Sequence, residues 1–316
     1  MKSHLFHLHA LSALHVGVGQ AIGNVDLPIA RERASHLPFV PGSGIKGVLR
    51  DAWTERDKAG VSDLFGPERI DKGDDAFTGA LAIGDAKLLL LPVRSLAGVM
   101  AWATCPFVLR RYRADHELTH SANRLPKIPE VEGGHARITA GSTLNAEGTT
   151  LVLDDLDIVA DNDHAAADAW AGHFRQSLFA GGSSEDIELA KHHFDSRFVI
   201  LSDDDFAFLA ETGTEIRARV RIDPGRGVVE DGALWYEENL PAETVLWGLI
   251  GVGRSRDGTS GKSGANGNSN GNGNGSKDAA SMSQQFTQHL KKPLSLQMGG
   301  KATIGRGLVR FSLVGA

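Results

Sequence analysis

The stretch PGSGIKGVLRDAW, residues 41–53, decides the reading of the fold. Ser43 is a residue type that accepts hydrogen bonds from the open amides of a helix start. Ile45, Val48, Leu49 and Trp53 then recur at helical spacing, with Lys46 and Arg50 one turn apart on another face. The pattern predicts an amphipathic helix capped by Ser43 and entered through a glycine-rich turn. On either side the period changes to two. About Leu5 to Leu14, a first strand sets Phe6, Leu8 and Ala10 against His7 and His9. From Glu215 to Asp223, Ile216, Ala218, Val220 and Ile222 alternate with Arg217, Arg219 and Arg221, and the run turns at Pro224-Gly225. From Leu308 to Leu313, Val309, Phe311 and Leu313 alternate with Leu308, Arg310 and Ser312, a half-buried terminal strand. Asn162 or Asp163 can cap a second helix carrying Ala166, Trp170, Phe174 and Leu178, and Ser202 a third through Asp203 to Thr212. Strands and helices mix without strict alternation, which predicts an α+β sheet with insertions.

With 316 residues, 41% hydrophobic and 23% charged, the chain excludes wholesale disorder and a disulfide framework. Its one cysteine, Cys105, can form neither an internal disulfide nor a multi-cysteine zinc site and fits a reducing compartment. Histidines interrupt the apolar start MKSHLFHLHALSALH, which argues against a signal peptide or a membrane span and for a cytoplasmic protein. The net charge of −6 taken alone argues against a nucleic-acid binder. The average conceals segregation: residues 151–205 hold 13 acidic and 3 basic side chains, whereas Lys291, Lys292, Lys301, Arg306 and Arg310 stand with no acid among them. Arg94, Arg110, Arg111, Arg113, Arg124 and Lys127 form a second basic region. Such a chain presents either scattered solvated faces or a basic groove with an acidic back.

Three glycine-rich loops carry the motif argument. HVGVGQAIGN, residues 15–24, has Gly17, Gly19 and Gly23 but Ile22 where a dinucleotide fingerprint needs its third glycine; PGSGIKG, residues 41–47, lacks the ending of a P-loop. GGKATIGRG, residues 299–307, precedes the last strand. Each is either a tight turn or bare backbone amide beside cations that suits a polyanion, and the three together favour a polyanion track. Asp26 lies in an irregular segment next to the first loop, where a carboxylate can take a proton from a hydroxyl, orient a divalent metal, or simply close an Asx-turn. His15 ends the first strand as an acid–base partner or a structural histidine. Trp235 and Tyr236 beside Glu237 and Glu238 either stack bases or pack. Asp203, Asp204 and Asp205 read as helix N-terminal charges and the Arg217, Arg219, Arg221 row as a solvated strand face, while His192-His193 lacks zinc-site spacing. Residues 258–276 hold seven Gly, five Asn and four Ser and cannot bury anything.

LHVGVGQAIGNVDLPIARE (14–32), LPFVPGSGIKGVLRDAW (37–53), PVRSLAGVMAWATCPFVLRRY (92–112), LSDDDFAFLAE (201–211), GALWYEENLPAET (232–244) and GGKATIGRGLVRF (299–311) follow one another in an order and spacing that resembles one family. This is the repeated backbone subunit of the type III-B CRISPR (Cmr) effector complex, a RAMP-superfamily protein. The resemblance runs from about residue 5 to residue 313, leaving out the Gly/Asn/Ser loop. It implies a modified ferredoxin-like (RRM-type) core in a single domain over 1–316, with a thumb and helical insertion at roughly 105–200 and a flexible loop over 256–280. It further implies copies stacked head to tail along a guide RNA (crRNA), other Cmr-complex subunits as partners, and target RNA cut at regular intervals. By the same resemblance, Gly17, Gly19, Ser43, Lys46, Arg50, Gly299, Gly300, Lys301 and Arg306 would bind RNA. Asp26 would carry metal-dependent cleavage with Mg2+ or Mn2+, supported by His15, Glu237 and Tyr236. Ser12-Ala13 in place of Thr-Pro and Gly44 in place of Ser depart from the family pattern without touching Asp26. A catalytically silent crRNA-binding filament subunit, a related type III backbone subunit and a guide-processing endonuclease are the alternatives.

Overall fold

Alternation along the first strand determines which layers form. In the computed structural model, which describes residues 1–19, 25–58, 60–67, 77–119, 124–179, 185–255 and 277–315, that strand is β1, Lys2–Ala10. The strands that follow are β2 (Phe39–Val40), β3 (Leu81–Ile83), β4 (Ala86–Arg94), β5 (Met100–Thr104), β6 (His135–Ile138), β7 (Asn145–Glu147) and β8 (Thr150–Leu153). After them come β9 (Leu156–Ala160), β10 (Phe198–Leu201), β11 (Glu215–Ile222), β12 (Val229–Asn239), β13 (Val245–Val252), β14 (Leu294–Gln297) and β15 (Leu308–Leu313). The α-helices are α1 (Gly42–Arg56), α2 (Val61–Phe65), α3 (Pro106–Thr119), α4 (Ala165–Leu178), α5 (Glu185–Asp195), α6 (Asp203–Thr212) and α7 (Ala279–Thr287). One mixed sheet runs β14-β15-β1-β13-β4-β5-β10-β6-β9-β8-β7, with β2 on β4 and β3 on β13; β11 and β12 form a separate hairpin. The expected α+β class with helical and hairpin insertions is what the chain adopts.

Two cores lie on opposite faces of the sheet, because neighbouring residues of a strand point opposite ways. Leu5 of β1 joins Leu89, Tyr112, Trp170, Phe174 and Trp247; Phe6, Leu8 and Ala10 join Leu49, Trp53, Phe286 and Phe311. His7 and His9 therefore do not face water as the alternation suggested. Both are buried, since α3 packs over their face and brings the Tyr112 hydroxyl to 3.2 Å from His7 Nε2. The strand is also shorter than Leu5–Leu14: the amides of Leu11 and Ser12 leave the ladder for the carbonyl of Leu308 at 2.8 and 3.2 Å.

Helix α1 buries Ile45, Leu49 and Trp53 as expected, but Ser43 is not its cap. The helix begins two residues earlier, Pro41 holds the cap position, and the Gly42 amide is satisfied at 2.8 Å by Asp85 from a distant loop. Gly42 suits that contact because a Cβ there would lie 2.3 Å from the Ile83 carbonyl oxygen. Ser202 does cap α6, accepting from the Asp205 amide at 3.1 Å. The second helix starts at Ala165 after His164, past both expected caps.

The hairpin departs furthest from expectation. Ile216, Val220 and Ile222 of β11 stay exposed, as do Leu234 and Tyr236 of β12, so this pair is a projection with two solvated faces. Residues 105–200, expected as a thumb and helical insertion, hold helices α3 to α5 and short strands, and the separate hairpin spans 215–239. Helix α7 starts at Ala279, inside the stretch 256–280 expected as loop, and the amide of Ser255 donates to the Lys277 carbonyl at 2.9 Å. Residues 258–276 and Gly23 lie outside the described residues. Among the described residues no helix is long and apolar enough to cross a membrane.

His7 gives the fold a pH dependence. Burial, with His173, His9 and His116 nearby, pushes its pKa down to about 3 from an ordinary 6.5. The unfolded chain takes up this proton first, so stability is full above the ordinary value and falls as pH drops toward the folded one, by at most ~1.4 kcal/mol per pH unit from this side chain. Urea unfolding of the isolated chain at about pH 7 and about pH 5 should show that loss, and His7→Phe should flatten it; an unchanged slope in the variant would remove His7 as the cause.

Candidate functional site

The inner end of β12 is the frame on which the site is built. Past Ala10 the chain crosses to it: Leu14 and Leu240 exchange backbone hydrogen bonds, both at 2.9 Å. His15 follows, buried, with Nδ1 donating to the Glu238 carbonyl at 2.7 Å. A ring nitrogen facing a carbonyl must carry the proton, which in the neutral ring leaves Nε2 as an acceptor. That nitrogen points at Gly17, where a Cβ would come within 2.6 Å of it. Gly17 in turn pairs with Ile29 in an antiparallel bridge, so the first glycine loop lies against the segment bearing Asp26.

Asp26 is exposed, and its position is fixed by backbone. Oδ2 accepts from the Tyr236 amide at 2.8 Å, the Leu27 amide donates to the Tyr236 carbonyl at 3.1 Å, and the Glu238 amide donates to the Leu27 carbonyl at 3.0 Å. Oδ1 has no partner among the described residues. The third glycine loop closes from the other side: the Gly300 amide donates to the His15 carbonyl at 3.1 Å, and Gly299, with φ at 76°, sits where a Cβ would lie 2.3 Å from that same oxygen.

Beneath these loops lies a charged knot. Glu237 has no solvent exposure; its carboxylate accepts from Trp235 Nε1 at 2.8 Å and meets Lys301 Nζ at 3.0 Å, Arg306 at 3.1 Å and Arg219 at 3.9 Å. Burial raises its pKa, but the hydrogen bonds from Trp235 and Lys301 and the charges of Lys301 and Arg306 outweigh that and hold it below the ordinary carboxylate range. Three cations around one carboxylate leave a surplus of positive charge beside Asp26.

A family model of the RAMP superfamily matches residues 7–310. The chain belongs to the RAMP superfamily. It is 32% identical over 317 residues to the CRISPR system Cmr endoribonuclease Cmr4 of Pyrococcus furiosus, an alignment covering 99% of this chain and 96% of that protein. The crystal structure of oligomeric Cmr4 from Pyrococcus furiosus superposes with a TM-score of 0.70 at 26% identity, over 99% of this chain and 98% of that one. A chain of the type III-B Cmr-beta complex bound to cognate target RNA has the same fold, with a TM-score of 0.68 at 17% identity, over 99% and 97%.

Within this RAMP chain the geometry sorts the expected residues. Asp26, His15, Gly17, Gly299, Gly300, Lys301 and the backbone of Tyr236 converge at the inner end of β12, with Gly19 exposed at the rim. Glu237 is removed from the catalytic candidates, because a buried carboxylate committed to cations has no free oxygen to offer. Arg306 is removed from the RNA contacts for the same reason: it is 4% exposed and donates to Glu237 and Asn239. The Gly300 amide is likewise spent on His15. Tyr236 keeps an exposed ring with no hydroxyl partner among the described residues, suited to stacking. Ser43 is exposed in the first turn of α1, but Lys46 donates to the Leu81 carbonyl at 3.2 Å and Arg50 to the Gly66 carbonyl at 3.0 Å, so their bonds run away from the His15 cluster. Among the described residues no three His, Cys, Asp or Glu side chains converge to hold a metal ion.

Arg31 was missed, and with it the partner of Glu238, which it meets at 2.6 Å across the base of the hairpin. Nothing in the local sequence marks a pair so far apart along the chain. The knot itself has a measurable cost when broken: Glu237→Gln leaves Arg306 buried without its counter-charge, and urea unfolding should show a loss of about 3 kcal/mol or more. Adding Arg306→Met to that variant should recover part of it, since an apolar side chain leaves no charge to compensate; two additive losses would mean that the pair does not interact.

Proposed function

We propose that the chain is the repeated backbone subunit of a type III-B CRISPR effector complex. It holds crRNA in a head-to-tail filament with copies of itself and other Cmr subunits, and cuts the paired target RNA as an endoribonuclease at the nucleotides its Asp26 reaches. The observation that carries this reading is an exposed carboxylate bound by the Tyr236 amide on one oxygen, open on the other, and placed one residue of β12 away from a surplus of cationic charge. The family membership and the relatives named for RNA cleavage and target binding support it.

RNA carries its own nucleophile. A 2′-hydroxyl held in line with the adjacent phosphorus needs only a base to take its proton, and the open oxygen of Asp26 is in place to do so. The oxygen then bonds to phosphorus as the 5′-oxygen leaves with a proton from solvent, giving a 2′,3′-cyclic phosphate and a 5′-hydroxyl. Lys301, whose ammonium is partly open to solvent, and the surplus charge of the knot hold the phosphate and offset the charge that develops on it. The exposed Tyr236 ring, next in line to the clamping amide, stacks on an unpaired base.

A divalent ion, Mg2+ or Mn2+, fits this site only as one shared with the substrate. Such ions bind through one or two carboxylates plus substrate phosphates, and the chain contributes the single open oxygen of Asp26, Glu237 and Glu238 having theirs committed. When bound, the ion would neutralise phosphate charge and favour ionisation of the attacking hydroxyl.

The test is the reconstituted complex with Asp26→Ala. Target cleavage should fall by about a hundredfold or more, the usual worth of a positioned base, with target binding unchanged and cyclic phosphate ends on the wild-type fragments. Cleavage at the wild-type rate would leave the chain a silent filament subunit. A separate chelator titration of the wild-type complex should also stop cleavage; persistence there removes the shared ion and leaves the role of Asp26 standing.

A further inference from the structure

Glu238 has a buried carboxylate facing away from the cationic knot, and each of its polar groups is bound to a different part of the site. Oε2 accepts from the Ile29 amide at 3.0 Å, and Oε1 accepts from Arg31 Nη2 at 2.6 Å and from the Thr214 hydroxyl at 2.9 Å. Its backbone amide donates to the Leu27 carbonyl at 3.0 Å, and its carbonyl accepts from His15 Nδ1 at 2.7 Å. One residue therefore fixes the strand end, the Asp26-bearing segment on its C-terminal side, and the ring of His15.

We propose that Glu238 is a positioning residue for cleavage: its carboxylate holds residues 27–31 against β12 and so aims Asp26. The proposal rests on the reading of Asp26 given above. Asp26 adjoins Leu27, and its own bond to the Tyr236 amide is at an exposed position open to water. Alone, that bond competes with solvent and does not fix a direction. Backbone bonds at Leu27 and Ala30 tie the segment to β12 and to Val16, and the buried carboxylate adds the side-chain anchor at Ile29 and Arg31 on the C-terminal side of Asp26. Arg31 is itself braced, donating to the carbonyls of His36 and Ala210, both at 3.0 Å, so the carboxylate links the segment to α6 as well. A neutral amide cannot replace it. Gln offers one acceptor oxygen and one NH2 group, and donors approach both carboxylate oxygens, so an N–H must oppose either Ile29 or Arg31 and Thr214.

The experiment compares complexes carrying wild-type, Glu238→Gln and Asp26→Ala chains in single-turnover cleavage, target binding and hydrogen exchange. For Glu238→Gln the expected result is a cleavage rate at saturating target lowered about tenfold or more, the scale of a misplaced catalytic group. Target affinity should stay within about twofold, and the amides of Leu27 and Ile29 should exchange faster than in wild type. A wild-type cleavage rate in Glu238→Gln, with Asp26→Ala inactive, overturns the positioning role and leaves the Asp26 reading intact. Wild-type cleavage by Asp26→Ala overturns the reading on which the proposal rests. A drop in target binding or filament assembly equal to the drop in rate would make Glu238 merely structural. Should Glu238→Gln fail to assemble, Thr214→Val strips one donor while leaving the ion pair. It should then slow cleavage by about threefold with assembly intact, and a wild-type rate in that variant overturns the proposal.

Discussion

Irregular backbone has to satisfy its amides and carbonyls somewhere, and in this chain β12 does that work for the site. Residues 14–18 and 26–30 belong to no regular strand, yet Leu14, His15, Leu27 and Asp26 all find partners on residues 236–240. An unpaired polar group in such a place costs as much as a lost hydrogen bond. The inner end of β12 therefore keeps two loops in register with each other, and an exposed side chain can sit on one of them without being mobile. The glycines at 17 and 299 serve the same end. They are required where a Cβ would strike the His15 ring or its carbonyl, which lets three segments close on one histidine.

Much of the architecture was legible before the structure. The helical stripe Ile45, Leu49, Trp53, the terminal strand Leu308–Leu313 and the cap at Ser202 rest on local periodicity and local hydrogen bonding, and all three appear where the pattern puts them. What failed depended on partners distant in sequence. Ser43 loses its cap role to Asp85, which supplies the acceptor from the loop between β3 and β4. His7 and His9 read as a polar face because alternation reports the difference between two faces and not whether the second is covered; α3 covers it.

The site divides along the same line. Asp26 and His15 could be named from residue type and neighbourhood, since exposed or strand-end titratable groups beside glycine loops are few in this chain. The roles of Glu237 and Arg306 could not, because a carboxylate and a cation look equally available until burial is known. Their mutual contact at 3.1 Å consumes both. The hairpin makes the converse error visible. Its residues alternate apolar and basic, yet both faces are solvated, a state that a pair of long strands sustains when cross-strand pairs such as Arg219 with Glu237 anchor one end.

The choice of anchor for Asp26 follows from what an exposed base must do. A cation within contact distance would hold the carboxylate equally well, but it would stabilise the charged form, lower its affinity for a proton and occupy the oxygen that has to receive one. A single backbone amide holds one oxygen of the carboxylate at far smaller electrostatic cost, and the segment that carries it is held by its other bonds to β12. The cations stand instead one layer down, around Glu237, where part of their charge is cancelled and the remainder acts at a distance on whatever phosphate approaches. Arg306 is enclosed and escapes much of the screening by salt, while Lys301 and Arg219 are partly exposed and feel it. A chain with a net charge of −6 can thus offer an anion a favourable local field while leaving Asp26 without a cation in contact among the described residues.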